Sequence, residues 1–132
     1  MPALIANLDY SNSEVRRYAA IALGEIGPNA NQAVPSLEKE LLTDTSVHPR
    51  RAAAEALAKI GDTSAIPTLV EVLDDSDIAI QAAEAVGVLA KQDFPDLGGP
   101  GYELNEEHVP LIVIAARKWW EAEGQYQEWS QP

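Results

Sequence analysis

The sequence predicts an all-α fold, a right-handed α-α superhelix of about three helix pairs with a further helix capping its C-terminal end. Three observations carry this. One alanine-rich phrase occurs three times: AAIALGEIG over Ala19–Gly27, AAEALAKIG over Ala53–Gly61 and AAEAVGVLA over Ala82–Ala90. The copies begin 34 and 29 residues apart, a period that marks a stacked repeat array. Each phrase follows a second apolar phrase led by proline: Pro2 before ALIANL, Pro35 before SLEKELL and Pro67 before TLVEVL. Proline is tolerated in a first helical turn, whose N–H groups have no intrahelical partner, so each unit reads as helix A, a short turn and helix B.

The first A helix is placed at about 2–9, with Leu4, Ile5 and Leu8 at helical spacing. The turn at 10–13 offers Asn12 or Ser13 as N-cap, and the first B helix runs from about 14 to 26. Gly27-Pro28 ends it, a glycine cap followed by a helix breaker. The second pair covers about 31–42 and 48–60, closed by Gly61-Asp62; the third covers about 64–73 and 77–91. The units thus span about 2–27, 31–61 and 64–91 of a single domain, 1–132. An irregular insert, 92–106, carries Gly98-Gly99-Pro100-Gly101, a length that suggests function or mobility in a compact domain. A last helix starts near Glu106 or Glu107, capped by Asn105, and ends before Gly124; with its tail it fills 107–132.

On the B helices the inward stripe reads Val15, Ala19, Ala22, Leu23 and Ile26, then Ala53, Ala56, Leu57 and Ile60, then Ile78, Ala82, Ala85, Val86 and Leu89. Small side chains let backbones approach while the larger ones fill the layer between neighbours. No single pair buries enough surface alone, so stability should couple neighbour to neighbour. The open C-terminal end needs closure, a role assigned to Trp119, Trp120 and Trp129; the first two lie about 100° apart around the last helix, so one seals the core. At the other end Leu4 and Ile5 lack a cap, which predicts self-association there or a fragment of a longer chain.

At 46% hydrophobic the 132-residue chain is globular rather than disordered. It has no cysteine, so no disulfide framework and no thiolate chemistry. No apolar run approaches the ~20 residues of a membrane helix, and no secretory leader is seen at the N-terminus; the default compartment is the cytoplasm. A net charge of −12 argues against nucleic acid and anionic membranes, and it permits a basic protein partner.

No catalytic constellation emerges, and neither a cofactor nor a metal is implied. His48 and His108 stand far apart in sequence. Glu106-Glu107-His108 reads as charge complementing a helix N-terminus, and the glycine-rich insert lacks the basic residue of a phosphate cradle. What remains is a surface. Helical spacing turns Arg17, Tyr18, Ile21, Arg51, Glu55, Gln81, Glu84 and Val88 outward on the B helices, and aromatics and arginines are the usual interface anchors.

The units resemble the HEAT-like repeats first associated with phycobilisome lyases: aliphatic-Pro-x-Leu opening the A helix, an acidic turn, then Val-Arg-x-x-Ala-x-x-Ala-Leu-Gly-x-Ile-Gly. Val15-Arg16 through Gly27 matches almost fully, and Arg50 through Gly61 matches with Pro49 replacing valine. Ile78 through Ala90 departs, with Ala79 in place of arginine and Ala90 in place of glycine. The resemblance implies that the B helices line a concave face presented to a protein partner. It also implies a structural ladder between each arginine and the acidic residue of its own turn, Asp9 with Arg16 and Asp44 with Arg50, which leaves Asp74, Asp75 and Asp77 uncompensated. The preferred function is a non-enzymatic protein-binding module or scaffold. The alternatives are a subunit of a bilin lyase handling phycobiliprotein chromophores, and an architectural segment of a longer array.

Overall fold

The computed structural model describes residues 2–92, 94 and 111–129. Among these, seven α-helices occur and no strand: α1 (Pro2–Asn7), α2 (Ser13–Ile26), α3 (Val34–Thr43), α4 (Val47–Ile60), α5 (Ile66–Glu71), α6 (Ala79–Ala90) and α7 (Leu111–Ala122). Each A helix packs on the B helix after it: α1 on α2, α3 on α4, α5 on α6. The B helices form the continuous layer, α2 against α4, α4 against α6, and α6 against α7. The fold is an all-α solenoid of the predicted kind. Of the expected insert, residues 93 and 95–106, the expected cap Asn105 among them, lie outside the described residues, as do 107–110 and 130–132.

Local chemistry explains where each helix begins and ends. Asn12 is extended and its side chain accepts the Glu14 amide at 2.8 Å, satisfying a donor the first turn leaves open. Gly27 (φ 77°) and Gly61 (φ 82°) stop α2 and α4 in backbone regions that disfavour a Cβ. The third unit has alanine at the equivalent position, so α6 runs through Ala90 and Lys91 takes the left-handed turn at φ 56°. Two A helices are shorter than the sequence suggests. A 3₁₀ run over Gly27–Ala33 precedes α3, and α5 closes into i→i−3 bonds from Val72 to Leu69 and Leu73 to Val70, the tighter geometry frequent at helix ends.

The core follows the stripe. Ala19, Ala53 and Ala82 are 2%, 0% and 0% exposed, with Leu23, Leu57 and Val86 fully buried beside them. Ile26 departs from it, 39% exposed in the last turn of α2. Gly24 shows why small residues recur: a Cβ there would sit 3.0 Å from the Ala56 Cα, so α2 and α4 touch almost backbone to backbone.

The ion-pair ladder connects neighbouring units and not, as the sequence suggested, an arginine with its own turn. Arg16 donates to Asp44, Nε to Oδ2 at 2.7 Å and a terminal nitrogen to Oδ1 at 3.1 Å. It also donates to the Tyr10 and Ser11 carbonyls at 2.8 and 2.9 Å. Arg50 pairs with Asp75 at 2.7 Å, while its Nε donates to the Leu41 carbonyl at 2.9 Å. Asp9, expected to partner Arg16, instead lies 3.7 Å from Lys39 on the surface. Two of the three acids of the third turn are compensated: Asp75 by Arg50, and Asp74 by Arg117 of α7 at 2.6 Å. The physical reason is stacking. The start of each B helix lies between its own turn, where the arginine meets backbone carbonyls, and the next unit's turn, where it meets the carboxylate.

Candidate partner-binding face

Along the solvent edge of the B layer lie three hollows. The first, about 150 Å³, sits between α2 and α4 and is lined by Ile21, Gly24, Ala52, Glu55, Ala56 and Lys59. The second, about 270 Å³, sits between α4 and α6, where Ala58, Ala85 and Val88 make an apolar floor rimmed by Glu55, Lys59, Gln81 and Glu84. The third, about 260 Å³, follows between α6 and α7, with Glu84, Gly87, Val88, Phe94 and Ile112 among its walls. Glu55 and Lys59 belong to the first two, Glu84 and Val88 to the last two, so the hollows form one track.

The structure brings five of the sequence-predicted residues onto this track: Ile21, Glu55, Gln81, Glu84 and Val88. Val88 is 62% exposed and lines both the second and the third hollow. Arg17 and Tyr18 stand on α2 outside the hollows. Tyr18 is 61% exposed, with the Arg17 guanidinium carbon 5.7 Å from its ring centroid, inside cation–π range. Arg51 departs from the expectation of a free outward residue: it is half-buried, and its Nε donates to the Asp77 carbonyl at 2.8 Å, tying α4 to the next turn. The face carries Arg17, Arg51 and Lys59 against Glu25, Glu55 and Glu84, with Lys59 Nζ 3.0 Å from Glu25. It is therefore charge-balanced in a chain of net charge −12.

Sequence reading missed Gly87 and Phe94. A Cβ on Gly87 would lie 3.1 Å from the Phe94 ring, so the glycine seats that ring beside the track. The signal was present: Gly24, Ala58 and Gly87 occupy one register position of the three phrases, and all are small.

At the C-terminal end Trp119 is 8% exposed, its ring 6.0 Å from Phe94, 6.3 Å from Trp120 and 5.8 Å from Trp129. Trp129 Nε1 donates to the Gly124 carbonyl at 2.8 Å.

A fourth hollow, about 290 Å³ and polar, shares no residue with the track. It opens beside the first two A–B turns, lined by Asp9, Tyr10, Arg16, Lys39, Glu40 and Asp44 among others. Glu40 is the buried charged residue here, 5% exposed. Burial first, then a hydrogen bond to Asp44 and that group's charge, push its carboxyl up to about 8, so it carries a proton at neutral pH. Burial would raise the Asp44 carboxyl too, but the Arg16 guanidinium, the Ser46 amide and the Glu40 proton together hold it below the usual range. Among the described residues no group of His, Asp and Glu side chains converges as a metal site, and His48 is exposed in the first turn of α4; His108 lies outside the described residues. No helix among them is long and apolar enough to cross a membrane.

Comparison with known proteins agrees with this architecture. Phycocyanobilin lyase subunit alpha of Microchaete diplosiphon is 37% identical over 85 residues, 60% of this chain and 29% of that protein. The same subunit from Nostoc sp. (strain PCC 7120 / SAG 25.82 / UTEX 2576) is 37% identical over 87 residues, 61% of this chain and 32% of that one. That of Thermosynechococcus vestitus is 33% identical over 95 residues, covering 63% and 34%. The chain spans about a third of the length of these curated relatives. The family described as HEAT repeats matches residues 1–90, the three stacked helix pairs: the chain belongs to the HEAT-repeat family.

Proposed function

We propose that this HEAT-repeat module is non-enzymatic and holds a protein partner along the track of the B helices. One observation carries the reading: hollows between successive helices join through shared residues, with Val88 standing out of the track and Tyr18 out of α2 beside it. Such apolar anchors in a rim of polar groups are what protein interfaces use. Because the face is charge-balanced, recognition rests on shape and apolar contact, and a basic partner would be favoured only by the surrounding field. The tryptophan cluster serves as the end cap of the stack, keeping this surface in register. The test is affinity capture from the source lysate with wild type and with Tyr18→Ser/Val88→Ser. A protein retained by wild type and lost by the variant, at unchanged helicity, supports the assignment; equal retention overturns it.

The similarity to phycocyanobilin lyase alpha subunits favours a second reading, a subunit acting in bilin attachment to a phycobiliprotein. Its discriminating experiment is the absorption spectrum of phycocyanobilin mixed with this chain, with and without apo-phycobiliprotein. A shift that requires the chain would establish this reading over the first.

A further inference from the structure

One side of α2 is laid out like a joint of the stack, yet it lies open. Val15, Tyr18, Ala22 and Ile26 stand three or four residues apart and share that side of the helix. The same register positions in α4 are Pro49, Ala52, Ala56 and Ile60, and all four are buried. Ala52 and Ala56 line the hollow between α2 and α4, and the Ala56 backbone meets Gly24, so these positions face the preceding B helix. In α6 the matching Ile78, Ala85 and Leu89 are buried too. On α2 the stripe turns away from α4, with Ala22 about 160° around the axis from Gly24. There Tyr18 is 61% and Ile26 39% exposed, and Val15 and Ala22 are half-buried.

The residues of this face differ from those of the inner joints in a way that selects an occupant. Asn12 caps α2 by accepting the Glu14 amide at 2.8 Å, as Asp44 accepts the Ser46 amide at 2.8 Å and Asp75 the Asp77 amide at 3.0 Å. In both aspartates the second oxygen takes the arginine of the preceding unit. In Asn12 an NH₂ group fills that place, a donor that cannot receive a guanidinium and calls for an acceptor. Tyr18 stands at the register of Ala52, which borders a hollow of about 150 Å³; a tyrosine ring at that place has the size to fill such a gap, and tyrosines anchor interfaces. Glu25 accepts Lys59 from the same register of the next unit at 3.0 Å and is still 66% exposed, so a cation at that register on the open side is complementary. A second copy of α2 fits poorly, because a two-fold axis through the middle of the stripe sets Glu14 of one copy near Glu25 of the other, and like charges repel. In both copies α4 and α6 already lie between neighbours.

We propose that this side of α2 docks one helix of another protein, packed as a B helix packs in the stack. That helix carries alanine or glycine where it crosses Ala22, and lysine or arginine at the register of Glu25. Opposite Asn12, where the first two units carry arginine, its first turn carries an acceptor such as glutamine. The surface is separate from the track, since none of its four residues lines the three hollows there.

The test is an amide NMR titration of the full chain with two synthetic peptides of the 46–61 sequence, one unaltered and one with Arg50→Gln. Both present Ala58 and Lys59, which α4 turns toward α6. An isolated helix of this length is marginal in water, a cost the two peptides share. Saturable shifts at Val15, Tyr18, Ala22 and Ile26, with the Arg50→Gln peptide bound roughly threefold or more tighter, support the proposal. In Asn12→Asp the order should reverse, the unaltered peptide binding tighter. Ala22→Glu should abolish the shifts at unchanged helicity, and Val88→Ser, which alters the track, should leave them as they are. Shifts confined to other residues, no saturable shift at about 5 mM peptide, persistence of the shifts in Ala22→Glu, or the same peptide order in Asn12→Asp overturns the proposal. Concentration-dependent shifts of the same amides without peptide would make a second copy the occupant and overturn it as well.

Discussion

Glu40 is the residue whose chemistry departs most from its sequence neighbours, and its effect on stability has a definite sign. Its carboxyl is raised to about 8 in the fold from about 4.5, so the unfolded chain loses the proton first. Its contribution to stability is therefore largest below about pH 4.5 and is lost progressively as pH rises to about 8. Glu40→Gln, which stays neutral and can still donate to Asp44, should stabilise the protein at pH 7 by roughly 1–3 kcal/mol. It should also flatten the stability profile between pH 5 and 8, measured by urea unfolding. Helical spacing held the clue, since Glu40 falls three residues after Leu37 and beside Leu41, both fully buried. Asp44 follows four residues on, at the end of the same helix; what the sequence could not give was Arg16, which reaches it from the adjoining unit and keeps it charged beside Glu40. Lys91 makes a simpler case. It is the non-glycine residue at positive φ among those described, and Lys91→Gly should add about 0.5–1 kcal/mol by relieving the left-handed penalty, read as a rise in melting temperature.

Between elements, contact depth decides which substitutions matter. The α2–α4 crossing is so close at Gly24 that even a methyl must displace the Ala56 backbone. Gly24→Val should cost about 2–3 kcal/mol through overpacking, a loss visible in denaturant midpoint. At the far end a Cβ on Gly124 would approach the Trp119 and Trp120 rings to 2.7–2.8 Å. Gly124→Ala should therefore dislodge the aromatic cluster, seen as a red shift of tryptophan emission while far-ultraviolet circular dichroism stays nearly constant. The B helices were legible to within one or two residues because their phrase repeats and glycine or a left-handed turn closes it. The A helices were less so. Proline marks where each begins, but nothing local shows that α5 tightens at Val72, a choice made by packing on α6.

For the whole molecule, the sequence revealed stacking but not its offset. The expected ladder runs to the acid of the arginine's own turn, Asp9 for Arg16, whereas the partner lies 28 residues on at Asp44. Chain proximity is a poor guide wherever stacking sets the next unit's turn against the same side chain. The pairs also differ in worth. Arg16 and Asp44 side chains are 14% and 4% exposed, whereas Asp74, the partner of Arg117, is 89% exposed. Arg16→Ala leaves the buried Asp44 carboxylate without its counter-charge and should cost about 3–5 kcal/mol. Arg117→Ala should cost about 1 kcal/mol or less. Equal losses in thermal unfolding would contradict an inter-unit role for Arg16.

The direction of these links has a consequence for growth. The first two units each extend an arginine forward to the following turn, and the second also holds the accepting Asp44, so a copy of the second, inserted beside itself, would arrive with both halves of a matching joint. The third unit has Ala79 where that arginine would stand, and its turn is instead gripped from both sides, by Arg50 and Arg117. Duplication of this gene could lengthen the stack upstream of that turn with little refitting, whereas beyond it every added unit would need a new fastening.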